Sequence, residues 1–395
     1  MLTSVYIHIP FCLRRCNYCD FNTYADRNDL INIYVETLCK EIKSFVPIND
    51  QKPIVHTIYL GGGTPSLLSE DNIKKVLGAV QSKFSLYIDH EISMEVNPGT
   101  VNEDYIKQIK KLGINRLSIG MQSSNPQDLT ILGRIHSTYE VIETVKWARM
   151  AGLKNINLDL IFGIPGQDLK RWQNTLEFAL QLNPEHLSLY SLTLEDGTPL
   201  KSWYGMGLIA KLDDDITADM YELAGNILDK CGYQQYEISN WARNDLGKRS
   251  FLCKHNLQYW HYEPYVGFGL GAHSYYGNHR FINIQDFQTY LSSMDNINTQ
   301  DPRLTNATNE TIIIDRQREI EEMMIMGLRL TQSGISDKRF RKRFGTSVFD
   351  EYPDEIRTLV SQELIEPVNM NNPVVRLTKK GRFLGNHVFR MFLRH

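Results

Sequence analysis

Apolar residues along the chain fall into short runs that alternate with stretches of helical periodicity. Val5 to Ile9 is a compact apolar run closed by Pro10, which lacks a backbone donor and marks the end of a buried strand. Asn28 to Phe45 then repeats apolar positions at helical spacing (Leu30, Tyr34, Leu38, Ile42, Phe45), with Asn28 or Asp29 as its cap. The pattern continues with strands expected from Ile54 to Leu60, Glu91 to Val96, Arg116 to Ile119, Asn155 to Phe162 and His186 to Leu192. Helices are expected from Ser69 to Phe84, Asn102 to Leu112, Thr138 to Ala151 and Asp168 to Leu182. Six strands alternating with helices over roughly 190 residues imply parallel βαβ units. A full eight-unit barrel needs about 250 residues, and no G-x-G-x-x-G follows the first strand as a dinucleotide fold would require. The pattern therefore predicts an α/β chain whose residues 1–230 form a partial (β/α)6 barrel.

The remainder reads differently. Residues 231–315 are expected to connect two domains, and 276–315 are polar and Asn/Thr-rich enough to be irregular. From Arg316 the periodicity returns, with helices predicted to about Leu330, from Ser336 to Phe344 and from Phe349 to Gln362. Apolar Leu364 to Val368 and Val374 to Leu377 flank Asn369 to Asn372 like the two strands of a wing, so 316–395 is predicted to be a smaller α+β, winged-helix-like domain.

Charge narrows the partners. With 43 basic and 46 acidic side chains the net charge is −3, which gives no overall pull toward nucleic acid or a membrane surface. The basic run Lys338 to Arg343 reads as a solvated or protein-contacting helix face, and no nucleic-acid partner is expected. The first apolar run is too short for a signal peptide and leads straight into cysteines, and no stretch approaches the roughly 20 apolar residues of a membrane span. Six cysteines, three of them clustered, point to a reducing cytoplasm; Cys39, Cys231 and Cys253 read as inert buried thiols.

The chemistry concentrates after the first strand. Cys12, Cys16 and Cys19 are spaced C-x3-C-x2-C on a short loop. Three thiolates can hold three irons of a 4Fe–4S cluster and leave the fourth open. Structural zinc is the rival, but it closes a tetrahedron with four Cys or His ligands, and no fourth lies at a suitable spacing. An open iron suits a chelating cofactor, and the amino and carboxylate groups of S-adenosylmethionine (SAM) can chelate it. Later strand ends carry Gly61-Gly62-Gly63-Thr64, Glu95 before Asn97-Pro98, Gln122, Arg134 and Asp159. Singly each has an ordinary structural explanation; together they suit a ligand with a carboxylate for Arg or backbone N–H and hydroxyls or an ammonium for Glu and Asp.

The cysteine spacing resembles the signature of the radical SAM superfamily. Val5 to Cys12, Gly61 to Pro65, Glu95 to Pro98 and Asp159 to Pro165 resemble its coproporphyrinogen-oxidase-like branch over nearly the whole chain. The resemblance implies a SAM site of Tyr6, Tyr18, Gly62, Gly63, Thr64, Glu95, Gln122, Arg134 and Asp159, beside a cluster on Cys12, Cys16 and Cys19. The oxidase of that branch carries a fourth cysteine two residues after the third, where this chain has Phe21. That departure favours the heme-chaperone group of the branch, without the oxidase's catalytic turnover. The group's heme-associated H-N-x-x-Y-W is matched by His255-Asn256-Leu257-Gln258-Tyr259-Trp260. The resemblance thus implies heme held by His255, Tyr259 and Trp260, with His255 on the iron. On residues alone, a packed aromatic segment whose His merely hydrogen-bonds stays open. A neutral imidazole can ligate heme iron and aromatic rings can border a porphyrin. His273, in the glycine-rich stretch 267–274, is a weaker candidate. The implied partners are heme and a heme-acceptor protein, membrane-associated or not; the alternative function is oxygen-independent oxidative decarboxylation of coproporphyrinogen III.

Overall fold

The computed structural model describes residues 2–47, 51–211, 213–244, 250–294, 304–368, 371 and 373–394. These form two compact units, one of Met1–Ile227 and Pro264–Ile312, the other of Leu228–Glu263 and Ile313–His395. Among the described residues no helix is long and apolar enough to cross a membrane.

The first unit is built on six parallel strands that neighbour one another in chain order: β1 (Leu2–Ile9), β2 (Ile54–Gly62), β3 (Ser85–Val96), β4 (Arg116–Gln122), β5 (Ile156–Phe162) and β6 (His186–Ser191). Helices α1 (Ile31–Ser44), α2 (Glu70–Lys83), α3 (Glu103–Lys111), α4 (Pro126–Leu132), α5 (Thr138–Met150) and α6 (Leu169–Gln181) fill the crossovers. Each starts or stops where the side chains dictate. Ser69 accepts from Asn72 N, Asn102 from Tyr105 N and Asp168 from Arg171 N, each satisfying a helix-end donor. The strands alternate with period two. Val5, Ile7, Ile9, Leu60, Met94, Leu117, Ile119, Leu158 and Leu189 are buried. The alternate positions are polar and meet one another: Thr57 donates to Ser4, Tyr59 to Glu95, and Ser118 to Asp159.

The sheet continues beyond β1. Strand β7 (Tyr265–Phe268) pairs parallel to β1 with Tyr6 opposite Gly267, and β8 (His273–Tyr276), β9 (His279–Asn283) and β10 (Thr308–Ile313) follow outward. The region 276–315 is therefore not irregular: it holds β9, the helix Phe287–Ser293 and β10. Nor do 231–315 act as one connector, since 228–263 cluster with the C-terminal part and 264–312 with the barrel. Strand β7 pairs with β1, far off in sequence, and leaves little local signal, while β8 and β9 form a hairpin across Gly277-Asn278. The glycine-rich stretch at 267–274 is a strand, a turn and a strand. A Cβ on Gly269 (φ +100°) would meet the Tyr34 hydroxyl at 2.6 Å, so its bareness serves packing against α1.

In the second unit, helices Arg316–Gly327 and Asp337–Phe344 match the expected ones closely. The helix expected from Phe349 is broken at Tyr352, because Pro353 starts a new helix, Pro353–Ser361. Val374–Val375 pairs antiparallel with Ile335–Ser336, and Ile365 bridges Leu377, as in a small wing. The wing's turn residues Asn369, Met370 and Asn372 lie outside the described residues. Of the three cysteines expected to be buried, only Cys253 is; Cys39 is half-buried and Cys231 exposed, just past the end of the helix Asp214–Lys230.

Candidate cluster and cofactor site

At the carboxyl ends of the parallel strands the first unit opens into a cavity of about 430 Å3 lined by Cys12, Cys16, Cys19 and nearly all of the expected cofactor residues. The cysteine loop is held from behind by backbone. Tyr24 N donates to Pro10 O (2.7 Å) and Asp26 N to Cys12 O (3.3 Å). It is held from the side by the end of α4, where Leu132 O accepts from Asn17 N at 3.0 Å and Ile131 O from Asn17 Nδ2 at 2.9 Å. Gly133 ends α4 in the left-handed conformation (φ +74°), and a Cβ there would meet the Asn17 amide at 2.8 Å. That turn delivers Arg134, whose Nη1 lies 3.4 Å from Cys16 Sγ and whose Nη2 donates to Asn97 Oδ1 (2.6 Å) and Gly120 O (3.0 Å). Thr64 Oγ1 points at Cys12 Sγ from 3.6 Å.

Cys12, Cys16 and Cys19 line one wall of the cavity, the donor set that a cluster held by three thiolates would need. Among the described residues no three Cys, His, Asp or Glu side chains are grouped so as to hold one metal ion. A cubane asks something else, because each of three irons takes its own thiolate and the sulfurs stand apart around it. Burial pushes the Cys12 thiol up to about 11, opposed by Thr64 and reinforced by Cys19 and Cys16. Iron bound there would replace the thiol protons.

The opposite wall is polar. Glu95 accepts from Tyr59 Oη (2.9 Å) and Gly62 N (3.1 Å), and burial, with Asp159 nearby, pushes its carboxyl up to about 7. Asp159 accepts from Ser118 Oγ (2.8 Å) and Asn157 Nδ2 (2.9 Å). Gly62 has φ +111°, and a Cβ would stand 2.5 Å from the His8 ring; on Gly63 it would meet Phe11 O at 2.6 Å. Only glycine lets this turn pass between β1 and the cavity. Gln122 lines the cavity at the end of β4 with φ +64°, and Tyr18 lines it while packing against the Leu132 and Ile161 cluster. The arrangement offers a cation beside the thiols for a carboxylate, and two carboxylates deeper in for an ammonium or hydroxyls.

Tyr6 is the exception among the expected residues. Its ring stacks on Tyr59 at 6.3 Å and its hydroxyl meets His8 Nδ1 at 3.1 Å, so it supports the wall that Tyr59 presents rather than lining it. Sequence reasoning missed three contributors. His8, passed over as a metal ligand, lies under Gly62 and donates from Nε2 to Asn22 O (3.0 Å), tying the glycine turn to the end of the cysteine loop. Asn97 links Arg134 to Thr64, and Ser118 orders Asp159. For His8 and Ser118, strict alternation of polar residues within β1 and β4 was the available signal.

His255, Tyr259 and Trp260 lie in the second unit, on the helix Lys254–Trp260. Helical spacing puts His255 and Tyr259 on one face, and His255 Nε2 lies 2.8 Å from the Tyr259 hydroxyl with the rings edge to face. His255 is 1% exposed. The Arg329 guanidinium sits 4.4 Å over the Trp260 ring, and Trp260 Nε1 is buried without a partner among the described residues. His273 is an exposed residue of β8 in the first unit.

Residues 6–179 match the radical SAM superfamily, and 314–384 match the HemN C-terminal domain. The chain is 36% identical over 393 residues to the heme chaperone HemW of Bacillus subtilis (strain 168), covering 99% of both chains. It is 41% identical over 271 residues to the heme chaperone HemW of Escherichia coli (strain K12), covering 68% of this chain and 69% of that one. The solved coproporphyrinogen III oxidase (HemN) from Escherichia coli superposes with a TM-score of 0.81 at 22% identity, over 99% of this chain and 89% of that chain, which establishes the shared fold. Sequence and fold together place this chain in the HemW family of the radical SAM superfamily.

Proposed function

We propose that this protein is a heme-trafficking chaperone that carries a 4Fe–4S cluster on Cys12, Cys16 and Cys19, binds SAM in the adjoining cavity, and passes heme to an acceptor protein of the cytoplasm or its membrane. The observation that carries the reading is one cavity lined by three thiols with Arg134 beside them on one side and by Glu95 and Asp159 on the other. When bound, SAM supplies an amino and a carboxylate group that complete the open iron. Arg134 stands beside Cys16, where it neutralises that carboxylate, while Glu95 and Asp159 accept from the ligand's ammonium or ribose hydroxyls. Tyr59 and the Gly62 amide fix Glu95, and Thr64 and Asn97 fix the thiol side. Heme is taken up in the second unit, where His255 presents its imidazole once the Tyr259 hydroxyl turns away.

The chaperone reading is favoured over oxidative decarboxylation by Phe21, which stands 62% exposed at the cavity mouth in place of a fourth thiol. Anaerobic reconstitution with iron counting and SAM titration tests the site. Wild type is expected to retain a cluster and bind SAM, and Cys16→Ala to lose the iron; full iron retention in Cys16→Ala contradicts the assignment. Incubation with coproporphyrinogen III, SAM and reductant is expected to yield no protoporphyrinogen by chromatography, and its formation would restore the oxidase.

A further inference from the structure

Behind Asp159 the interior of the barrel is a closed polar network. Asn157 is 2% exposed and His186 fully buried. Register sets the network, with Glu95 opposite Ser118, Ser118 opposite Asn157, Asn157 opposite His186 and Asp159 opposite Ser188. The Asn157 amide uses every hydrogen-bonding position it has. Its Nδ2 donates to Ser118 Oγ (2.7 Å) and Asp159 Oδ1 (2.9 Å). Its Oδ1 accepts from His186 Nδ1 (2.7 Å) and Ser188 Oγ (3.1 Å). Flipping the amide would set its oxygen against the Asp159 carboxylate, acceptor to acceptor, so only one orientation is tolerated. That orientation requires His186 to carry its proton on Nδ1. Ser118, already accepting from Asn157, must then give its own hydrogen to Asp159 Oδ2 (2.8 Å).

We infer that Asn157, locked by His186, is a positioning residue that holds the Asp159 carboxylate turned toward the cavity. The inference rests on the reading of that cavity as a SAM site. The charged groups acting on Asp159 are Glu95 on β3 and Arg116 on β4, and His186 on β6 reaches it through Asn157. Burial raises the Asp159 carboxyl, and hydrogen bonds from Ser118, Asn157 and Ser188 together with the Arg116 charge oppose it, so losing the Asn157 bond shifts the balance toward the protonated form. A protonated Asp159 accepts an ammonium or hydroxyl poorly.

The test is calorimetric titration of SAM into the anaerobically reconstituted holoprotein at several pH values on either side of neutrality. Asn157→Leu is expected to bind SAM about tenfold more weakly near neutral pH, the loss of one hydrogen bond to a charged group. Its affinity should recover as pH rises and Asp159 loses its proton, while wild type changes little and both keep the same cluster absorbance. His186→Leu should shift affinity in the same direction, and His186→Gln, whose amide can still donate to Asn157, should restore it. Wild-type affinity and pH profile in Asn157→Leu with an intact cluster overturn the inference. If that variant does not fold, equal affinities in His186→Leu and His186→Gln overturn it instead. A wild type that keeps its cluster but binds no SAM removes the cofactor reading and this inference with it.

Discussion

The Tyr259 hydroxyl occupies the nitrogen of His255 that a heme iron would need, 2.8 Å away in a helix where the imidazole is almost wholly covered. That contact makes the hydroxyl a competitor of the iron. Tyr259→Phe keeps the ring and removes the competing hydrogen bond, worth about 1 kcal/mol net. Heme binding to Tyr259→Phe should therefore tighten about fivefold in a Soret titration; weaker binding would show that the hydroxyl itself helps hold heme. At Gly62 the residue scale decides the turn. A methyl there meets the His8 ring and forces an L residue to φ +111°, so Gly62→Ala should lose about 1–3 kcal/mol of stability in denaturant unfolding and weaken SAM binding with it. Unchanged stability would mean the turn can move. Such positions were half legible beforehand. A Gly-Gly-Gly turn after an apolar run announces a close approach, but which ring it passes, here His8, depends on the pairing of Ile9 with Gly62.

Among the elements, the six strands and five crossovers were readable because each strand carries buried apolar positions and each helix repeats at its own period. Strand ends were read short at β3 and β4, where Ser85 and Leu86 still pair with β2 and Gln122 with β5 across irregularities in the register. Strands β8 and β9 pair locally across Gly277-Asn278 and their signal was passed over, whereas β7 was not readable as a neighbour of β1, since that partner is far off in sequence. One such tie is Glu41 of α1, fully buried, which accepts from Gly269 N (2.8 Å), Asn283 Nδ2 (2.7 Å) and Tyr290 Oη (2.6 Å). Burial pushes its carboxyl up from 4.5 to about 7 against those hydrogen bonds. A carboxyl raised on folding binds its proton more tightly in the native state, so its contribution is full below the unfolded value and lost as pH rises to about 7, a change of up to about 3 kcal/mol. Glu41→Gln is neutral at every pH. The stability of wild type relative to Glu41→Gln should fall as pH is raised through that interval in denaturant melts; a constant difference would contradict the burial argument.

For the whole molecule, the chain leaves the barrel at residue 228, contributes the hairpin Tyr233–Glu237 and Asn240–Arg243 and the His255 helix to the second unit, and returns at Pro264 to lay β7 beside β1. A reading in chain order draws a connector there, because what joins 228–263 to 313–395 is contact across about fifty intervening residues, such as Thr331 N donating to Tyr236 O and Glu237 bridging Leu330. The cysteine and cofactor residues thus fall in one unit and the heme-associated residues in the other. On this account, replacing His255 removes a heme ligand and none of the residues proposed for the cluster or SAM.

Titration of heme into the anaerobically reconstituted full chain, followed at the Soret band in wild type and His255→Ala, tests this most directly. The account predicts saturable heme binding by wild type, a shifted Soret band with markedly weaker retention in His255→Ala, and unchanged iron content and SAM affinity in both. No saturable binding by wild type, or the same spectrum and affinity in His255→Ala, would contradict it.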